Sequence, residues 1–280
     1  MDKDKLKIIF FGTPEFSVKI LEAMDKNGFT LVAVVTTPDK PKGRKLVLTP
    51  SPVKLWAQEH NVRFLQPTLI KDLRIKIQDL RIKPDLFVVA SFGKILPKEI
   101  LEIPKYGTLN VHPSLLPKLR GPSPIQTAIL NGEKETGVTI MLMNEKMDEG
   151  PILAQQELRI KIQDLGFKKL EEELAKLGGK LLIETIPKWI DGKITPQPQD
   201  HNQATYSKLI KKSDGEINWD EPAEKIYNKI CAFTPWPSAY YFENGKRVII
   251  TKTKLDKDGK LKILRVKPEG RNEMDFIDYK

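Results

Sequence analysis

The sequence predicts an α/β fold: a doubly wound, mostly parallel sheet over residues 1–191, a linker at 192–205 and a small β-rich module at 206–280. Two observations predict the sheet. Near-continuous apolar runs, such as DLFVVAS at Asp85 to Ser91 and GVTIMLM at Gly137 to Met143, suit strands covered on both faces. Between such runs lie stretches with helical spacing of apolar residues, the alternation that crossover connections produce. A third observation divides the chain. Asp191 to Asn202, DGKITPQPQDHN, is polar and proline-bearing, and hairpin chemistry appears beyond it at Glu243-Asn244-Gly245.

In chain order, Lys5 to Phe11 reads as the first strand, and Gly12-Thr13-Pro14-Glu15-Phe16 opens a helix that runs to about Lys26. The turn lacks a GxGxxG fingerprint, so Gly12 reads as a turn former and a dinucleotide site has no support. A second strand spans Thr30 to Thr36. The next sixteen residues, Thr37 to Pro52, hold four prolines and one glycine and predict a long surface loop. Ser51 and Pro52 are a helix start. A short strand at Val62 to Leu65, a helix at Ile70 to Leu80 and the strand at Asp85 to Ser91 follow. Past residue 121 a helix is predicted at Ser123 to Leu130, strands at Gly137 to Met143 and Ile152 to Leu158, and a long covering helix at Phe167 to Ile190. Gly178-Gly179 weaken that helix for no reason visible in the sequence. RIKIQDL occurs at both Arg74 and Arg159, but its flanks do not match and it marks no internal repeat. The last segment reads as a helix at Pro222 to Phe233 and strands at Ala239 to Phe242, Arg247 to Lys252 and Leu261 to Val266.

Of the 280 residues, 40% are hydrophobic and 30% charged, a globular balance with no apolar run long enough to span a bilayer. The opening MDKDKLKIIFFG has no signal-peptide pattern, so the expected location is cytoplasmic. A single cysteine, Cys231, argues against internal disulfides and reads as a buried structural thiol; with only three histidines, no metal site is expected. The net charge of +10 invites a polyanion, although a lysine-rich surface alone produces such a total. Placement is more telling. Lys40, Lys42, Arg44, Lys45 and Lys54 have no acidic residue among them, and nine Lys or Arg from Lys246 to Lys267 face only Asp256 and Asp258. Two such segments suit contact with phosphates.

The most informative stretch is Gly107 to Gly121, GTLNVHPSLLPKLRG. An apolar strand stops at polar and proline residues, with Asn110 and His112 spaced i, i+2 so that both project from one side. Open α/β sheets bind ligands at the carboxyl ends of their strands.

These residues carry a resemblance. With FxGTPxF at Phe10 to Phe16, the PDKPKGRK loop, PSPVK at Pro50 to Lys54, SFGKILP at Ser91 to Pro97, ETGVTIM at Glu135 to Met141, MDEG at Met147 to Gly150 and AFTPWPSA at Ala232 to Ala239, the chain resembles the methionyl-tRNA formyltransferase family nearly end to end. The resemblance implies a Rossmann-like formyltransferase fold and a C-terminal OB-like module. Here that module looks shortened, because the run from Val248 to Val266 passes almost directly to PEGRNEM. It implies transfer of a formyl group from the co-substrate 10-formyltetrahydrofolate to the α-amine of initiator methionyl-tRNA, by a monomer, with no metal and no membrane. By residue, it implies Asn110, His112 and Asp148 as the catalytic set. Phe92, Gly93, Ile95, Leu96, Ser114, Leu115, Leu116 and Pro117 would border the folate, mostly through backbone. Lys40, Lys42, Arg44, Lys45, Lys246 and Arg247 would contact the tRNA, Arg44 at its acceptor end.

The residue types fit that chemistry. An amine attacking a formyl carbon develops an oxyanion that needs donors already in place, and it gains a proton that must leave. The Asn110 amide is a neutral donor, His112 can donate or accept, and Asp148 would hydrogen-bond and orient the imidazole. Alone, His112 reads as a structural histidine and Asp148 as a turn residue; together, in motif order, they read as a site. Two other kinds of function compete: a formyltransferase for an amino-sugar nucleotide or a ribonucleotide amine, and a non-catalytic RNA-binding protein. The sugar enzyme has no need of a basic loop at Lys40 to Lys45, the ribonucleotide type would lack the C-terminal module, and a binding protein has no need of the catalytic set.

Overall fold

A computed structural model describes residues 5–43, 46–159 and 165–280. Its elements run β1 (Ile8–Gly12), α1 (Glu15–Lys26), β2 (Leu31–Val35), β3 (Lys40–Lys42), β4 (Val47–Thr49), α2 (Pro52–Glu59), β5 (Phe64–Leu65), α3 (Leu73–Gln78), β6 (Leu86–Ala90), α4 (Lys98–Leu101), β7 (Thr108–His112), α5 (Pro124–Leu130), β8 (Thr136–Leu142), β9 (Ile152–Leu158), α6 (Gly166–Ile190), α7 (Ala223–Phe233), β10 (Ala239–Glu243), β11 (Lys246–Leu255), β12 (Leu261–Pro268), β13 (Met274–Asp275) and α8 (Phe276–Tyr279). They form two units: residues to Arg120 with 137–158 and 172–205, and residues 121–136, 159–171 and 206–280.

The first unit holds a seven-stranded sheet in the order β5-β2-β1-β6-β7-β8-β9. β5, β2, β1, β6 and β7 pair in parallel, and β7 pairs with β8 antiparallel. Every residue of β1, β6 and β7 is buried, the consequence of helices on both faces and the reason β1 and β6 are continuously apolar. On one face Ile9, Phe11, Phe87 and Val89 pack with Leu73 and Ile77 of α3 and with Ile100 of α4. Ser51 caps α2 by accepting from the Lys54 amide at 3.1 Å, with Pro52 at its first position.

Several elements differ from the sequence reading. Thr37 to Pro52 is not structureless: β3 and β4 pair as a hairpin, Lys40 opposite Thr49 and Lys42 opposite Val47. Pro41 is tolerated because a two-stranded ribbon leaves half of its amides outside the ladder. Ile70 to Leu80 begins as a 3₁₀ turn, Ile70–Asp72, before the shorter α3. α4, β13 and α8 are each four residues or fewer, too short for a periodic signal. Residues 160–164, which carry most of the second RIKIQDL, lie outside the described residues.

Gly178 and Gly179 now have a reason. A Cβ on Gly178 would lie 2.8 Å from Val111 Cγ1 of β7, and one on Gly179 would lie 2.7 Å from Ala23 Cβ of α1. α6 therefore lies close over the sheet and α1 only because these two positions lack side chains.

The second unit is a four-stranded antiparallel sheet, β10-β11-β12-β13, whose inner face packs on α7 through Ile226, Ile230, Tyr241, Val248, Ile250 and Val266. α5 packs against α7. Among the described residues the sheet is open, its order ending at β10, which also takes an isolated bridge from Glu216, and at the two-residue β13. In the first unit, the stretch 192–205 is tied down by a bridge between Ile152 and Gln197 and by the Arg120 amide donating to the Thr205 carbonyl at 2.9 Å. No helix among the described residues is long and apolar enough to cross a membrane.

Replacing Gly178 with Ala ordinarily favours a helix by about 1 kcal/mol. Here overpacking reverses the sign, and denaturant unfolding is expected to show a loss of about 1–3 kcal/mol; a stabilised variant would contradict the close approach.

Candidate active site

Beyond Thr108, whose hydroxyl donates to the Leu101 carbonyl at 3.0 Å, β7 carries two further buried polar side chains, Asn110 and His112, 8% and 4% exposed. Buried polar groups require partners, and these have them. His112 Nε2 lies 3.1 Å from the Leu119 carbonyl. A carbonyl can only accept, so Nε2 carries a proton and Nδ1 is left for chemistry. Nδ1 lies 3.7 Å from Asp148 Oδ1, and Asn110 Nδ2 donates to the same oxygen at 3.4 Å. The three predicted residues thus meet at one carboxylate oxygen. One expectation changes: at 3.7 Å Asp148 is not hydrogen-bonded to His112, and the Leu119 carbonyl orients the ring instead. Leu119 presents that carbonyl from a left-handed backbone, φ 58°, which leucine rarely adopts, and its amide is held by Thr205 Oγ1 at 2.8 Å.

Asp148 reaches the site by an indirect path. β8 runs antiparallel to β7 with Leu142 opposite Leu109, so β8 ends beside the start of β7 and the following loop doubles back. Hydrogen bonds from Met143 N to Thr108 O and from Leu142 N to Pro151 O, 2.8 and 2.9 Å, fasten its ends. Gly150 is obligatory, since a Cβ there would collide with the Leu142 carbonyl oxygen. Asp148 itself takes φ 55°, a conformation that Asp tolerates better than most residues.

The predicted folate-bordering residues fall into two sets. Phe92 and Leu96 are buried in the core, Phe92 edge-on to Phe11 at 5.5 Å, while Gly93 and Ile95 are exposed; Gly93, at φ 79°, has nothing within 4 Å of where a Cβ would stand. Ser114, Leu115, Leu116 and Pro117 form a turn held from β8 and β9. Thr139 Oγ1 donates to the Ser114 carbonyl at 2.7 Å and accepts from the Leu116 amide at 3.1 Å, and Gln155 Nε2 donates to the Leu116 carbonyl at 2.8 Å. Thr139 escaped the sequence reading as a site residue although it stands within ETGVTIM, and Gln155 because it stands in no recognisable motif. Arg120 and Gln199 escaped it too, although Arg120 closes the LLPKLRG run; both connect to the Asp148 loop. Among the described residues no group of three or more His, Cys, Asp or Glu is placed to hold a metal ion. Cys231 is half-buried, and its burial raises the thiol pKa against a hydrogen bond from Tyr227, which leaves the sulfur a poor nucleophile.

Of the predicted tRNA contacts, Lys40 and Lys42 are exposed on β3, and Arg44 and Lys45 lie outside the described residues. The hairpin has an anchored base. Asp39 accepts from Lys54 Nζ at 2.7 Å and from Gln66 Nε2 at 2.7 Å, and Gln66 also donates to the Thr37 carbonyl at 2.9 Å. The Gln66 hydrogen bond, then that of Lys54, holds the Asp39 carboxyl below its usual range. In the second unit Lys246 and Arg247 are exposed at the start of β11. Ala239 and Tyr241 face the core; Tyr240 is on the opposite face but is itself buried, 9% exposed, with the Arg247 guanidinium 5.3 Å from its ring, and Phe242 is exposed.

Comparison with known proteins agrees with these motifs. The family profile described as "Formyl transferase" matches residues 6–186, and "Formyl transferase, C-terminal domain" matches 209–260. A methionyl-tRNA formyltransferase of Geobacillus sp. (strain WCH70) is 52% identical over 235 residues, 84% of this chain and 74% of that protein. One from Bacillus licheniformis is 42% identical over 297 aligned positions, 98% of this chain and 94% of that protein. Among solved structures, methionyl-tRNA formyltransferase from Clostridium thermocellum superposes with a TM-score of 0.63 at 20% identity, over 94% of this chain and 98% of that one. An N-formyltransferase from Helicobacter canadensis, in complex with folinic acid and dTDP-3-aminofucose, superposes at 0.67 with 24% identity, over 90% and 88%. The last two likenesses establish the fold alone.

Because the Asp39 pKa is depressed in the folded chain, its anchoring is present above the ordinary carboxylate value, about 3.9, and is lost as pH falls through the lower folded value. Denaturant unfolding of wild type and Asp39→Asn is therefore expected to differ at neutral pH and to converge in acid; an undiminished difference in acid would contradict the anchor.

Proposed function

The chain belongs to the methionyl-tRNA formyltransferase family, and from that premise we propose how Asn110, His112 and Asp148 carry out its reaction. The enzyme transfers the formyl group of 10-formyltetrahydrofolate to methionyl-tRNA. The observation that carries the mechanism is the meeting of His112 Nδ1 and Asn110 Nδ2 on Asp148 Oδ1.

With Nε2 fixed on the Leu119 carbonyl, Nδ1 is the working nitrogen of His112. The Asn110 amide has a second N–H beyond the one directed at Asp148, and it stabilises negative charge developing on the formyl oxygen. The His112 and Asp148 pair receives the proton released by the α-amine and returns one to the departing nitrogen. None of these steps needs a metal or a covalent enzyme adduct. The co-substrate supplies the formyl carbon. The backbone at Gly93 and the turn Ser114 to Pro117 suit its binding, because the one leaves open space and the other is rigidly held.

The tRNA contacts divide between the basic segment Lys40, Lys42, Arg44 and Lys45, and the start of β11, where Lys246 and Arg247 are exposed near the exposed Phe242. Exposed cations suit phosphates, and the exposed Phe242 ring suits an unstacked base. Initiator tRNA as the substrate form, a catalytic region at 1–191 with a tRNA-binding module at 206–280, a monomeric state and a cytoplasmic location complete the proposal. An amino-sugar nucleotide fits less well, since it gives the basic hairpin nothing to bind.

With both acceptors offered alongside 10-formyltetrahydrofolate, the enzyme is expected to formylate methionyl-tRNA and leave an amino-sugar nucleotide untouched. His112→Ala should lower the rate about 10²- to 10⁴-fold in a variant that still folds and melts cooperatively, with some loss of stability from the Leu119 contact. Formylated sugar, or wild-type turnover by the variant, would overturn the reading.

A further inference from the structure

The Asp148 loop doubles back over β7 and holds a non-glycine residue in the left-handed region, so something must fix it. One side chain does so from a distant part of the chain. Gln199, 6% exposed, donates both hydrogens of Nε2 to the carbonyls that flank Glu149, that of Asp148 at 2.8 Å and that of Gly150 at 2.7 Å. Its Oε1 accepts from Arg120 Nε at 3.1 Å and from Nη2 at 2.7 Å. The amide is thereby saturated, and its orientation follows from its partners, since carbonyls cannot donate and a guanidinium cannot accept. Arg120 is 1% exposed, with Nη1 3.2 Å from His201 Nδ1 and 3.6 Å from Glu149 Oε1.

We propose that Gln199, braced by the buried guanidinium of Arg120, is a positioning residue that sets the Asp148 carboxylate against Asn110 and His112. It touches no reacting atom. Fixing the peptide carbonyls on both sides of Glu149 fixes the Asp148 Cα, and the 3.4 and 3.7 Å approaches to Asn110 and His112 survive only while that Cα stays in place. Displacing a reacting group by about 1 Å costs about 10²-fold in rate. The assignment rests on the catalytic reading of Asp148 given above, and its test separates the two.

The test is a double-mutant cycle on the full-length enzyme, read as kcat and as KM for methionyl-tRNA and for 10-formyltetrahydrofolate. Gln199→Glu keeps an acceptor for Arg120 and removes both donors to the loop. It is expected to lower kcat about 10- to 100-fold and to leave both KM values within about two-fold. Introduced into Asp148→Asn, the same substitution should change kcat by less than about two-fold, because the group it positions is already gone. Gln199→Met, of similar length and uncharged, repeats the cycle if the Glu variant melts early. Equal losses with and without the Asp148 carboxylate, or wild-type kcat in the single variants, would overturn the proposal. Wild-type kcat in Asp148→Asn alone would overturn the catalytic reading of Asp148 and the positioning role with it.

Discussion

A central strand buried on both faces cannot carry an unpaired amide and an unpaired imidazole, and β7 carries both. Their need for partners organises the first unit. His112 Nε2 takes the Leu119 carbonyl, which requires a left-handed Leu119 held by Thr205. Asn110 takes Asp148, which requires a loop that returns across β7. An unsatisfied buried polar group costs about 1–3 kcal/mol, so the strained backbone at residues 119 and 148 is offset by the pairing it allows. Under the proposed mechanism, folding and catalysis use the same contacts, and the groups that satisfy β7 leave Nδ1 and one amide N–H available to the substrates.

That arrangement propagates outward. The stretch 192–205, polar and without regular helix or strand, supplies Thr205 to Leu119 and Gln199 to the acid loop, so it shapes the active site from a position that reads as a connector. Gly178 and Gly179 let α6 lie close over β7, α1 and β8. The second unit packs one sheet face on α7 and carries the exposed Arg247 and Phe242 on the surface of β11 and β10.

The sheet was legible because β1 and β6 are continuous apolar runs, a pattern that two covered faces produce. Asn110 and His112 were legible from their i, i+2 spacing, and Ser51 from its place before Pro52. Long-range contacts were not. Arg120 and Gln199 are 79 residues apart, and a glutamine in a polar stretch carries no local mark of being buried. Gly178 looked like a weakened helix because its reason, Val111, lies on a different element. The hairpin of β3 and β4 was hidden by prolines that ordinarily signal a loop. Residues 121–136 and 165–171 belong to the second unit through packing, which no change in composition announces.

The most direct test of the central claim, that Asn110, His112 and Asp148 act as one unit, is single-turnover formyl transfer to methionyl-tRNA by the three single alanine variants and the triple variant. Residues that act together are non-additive, so the triple variant should lie within about ten-fold of the worst single variant. Losses that multiply across the three substitutions would contradict a shared site.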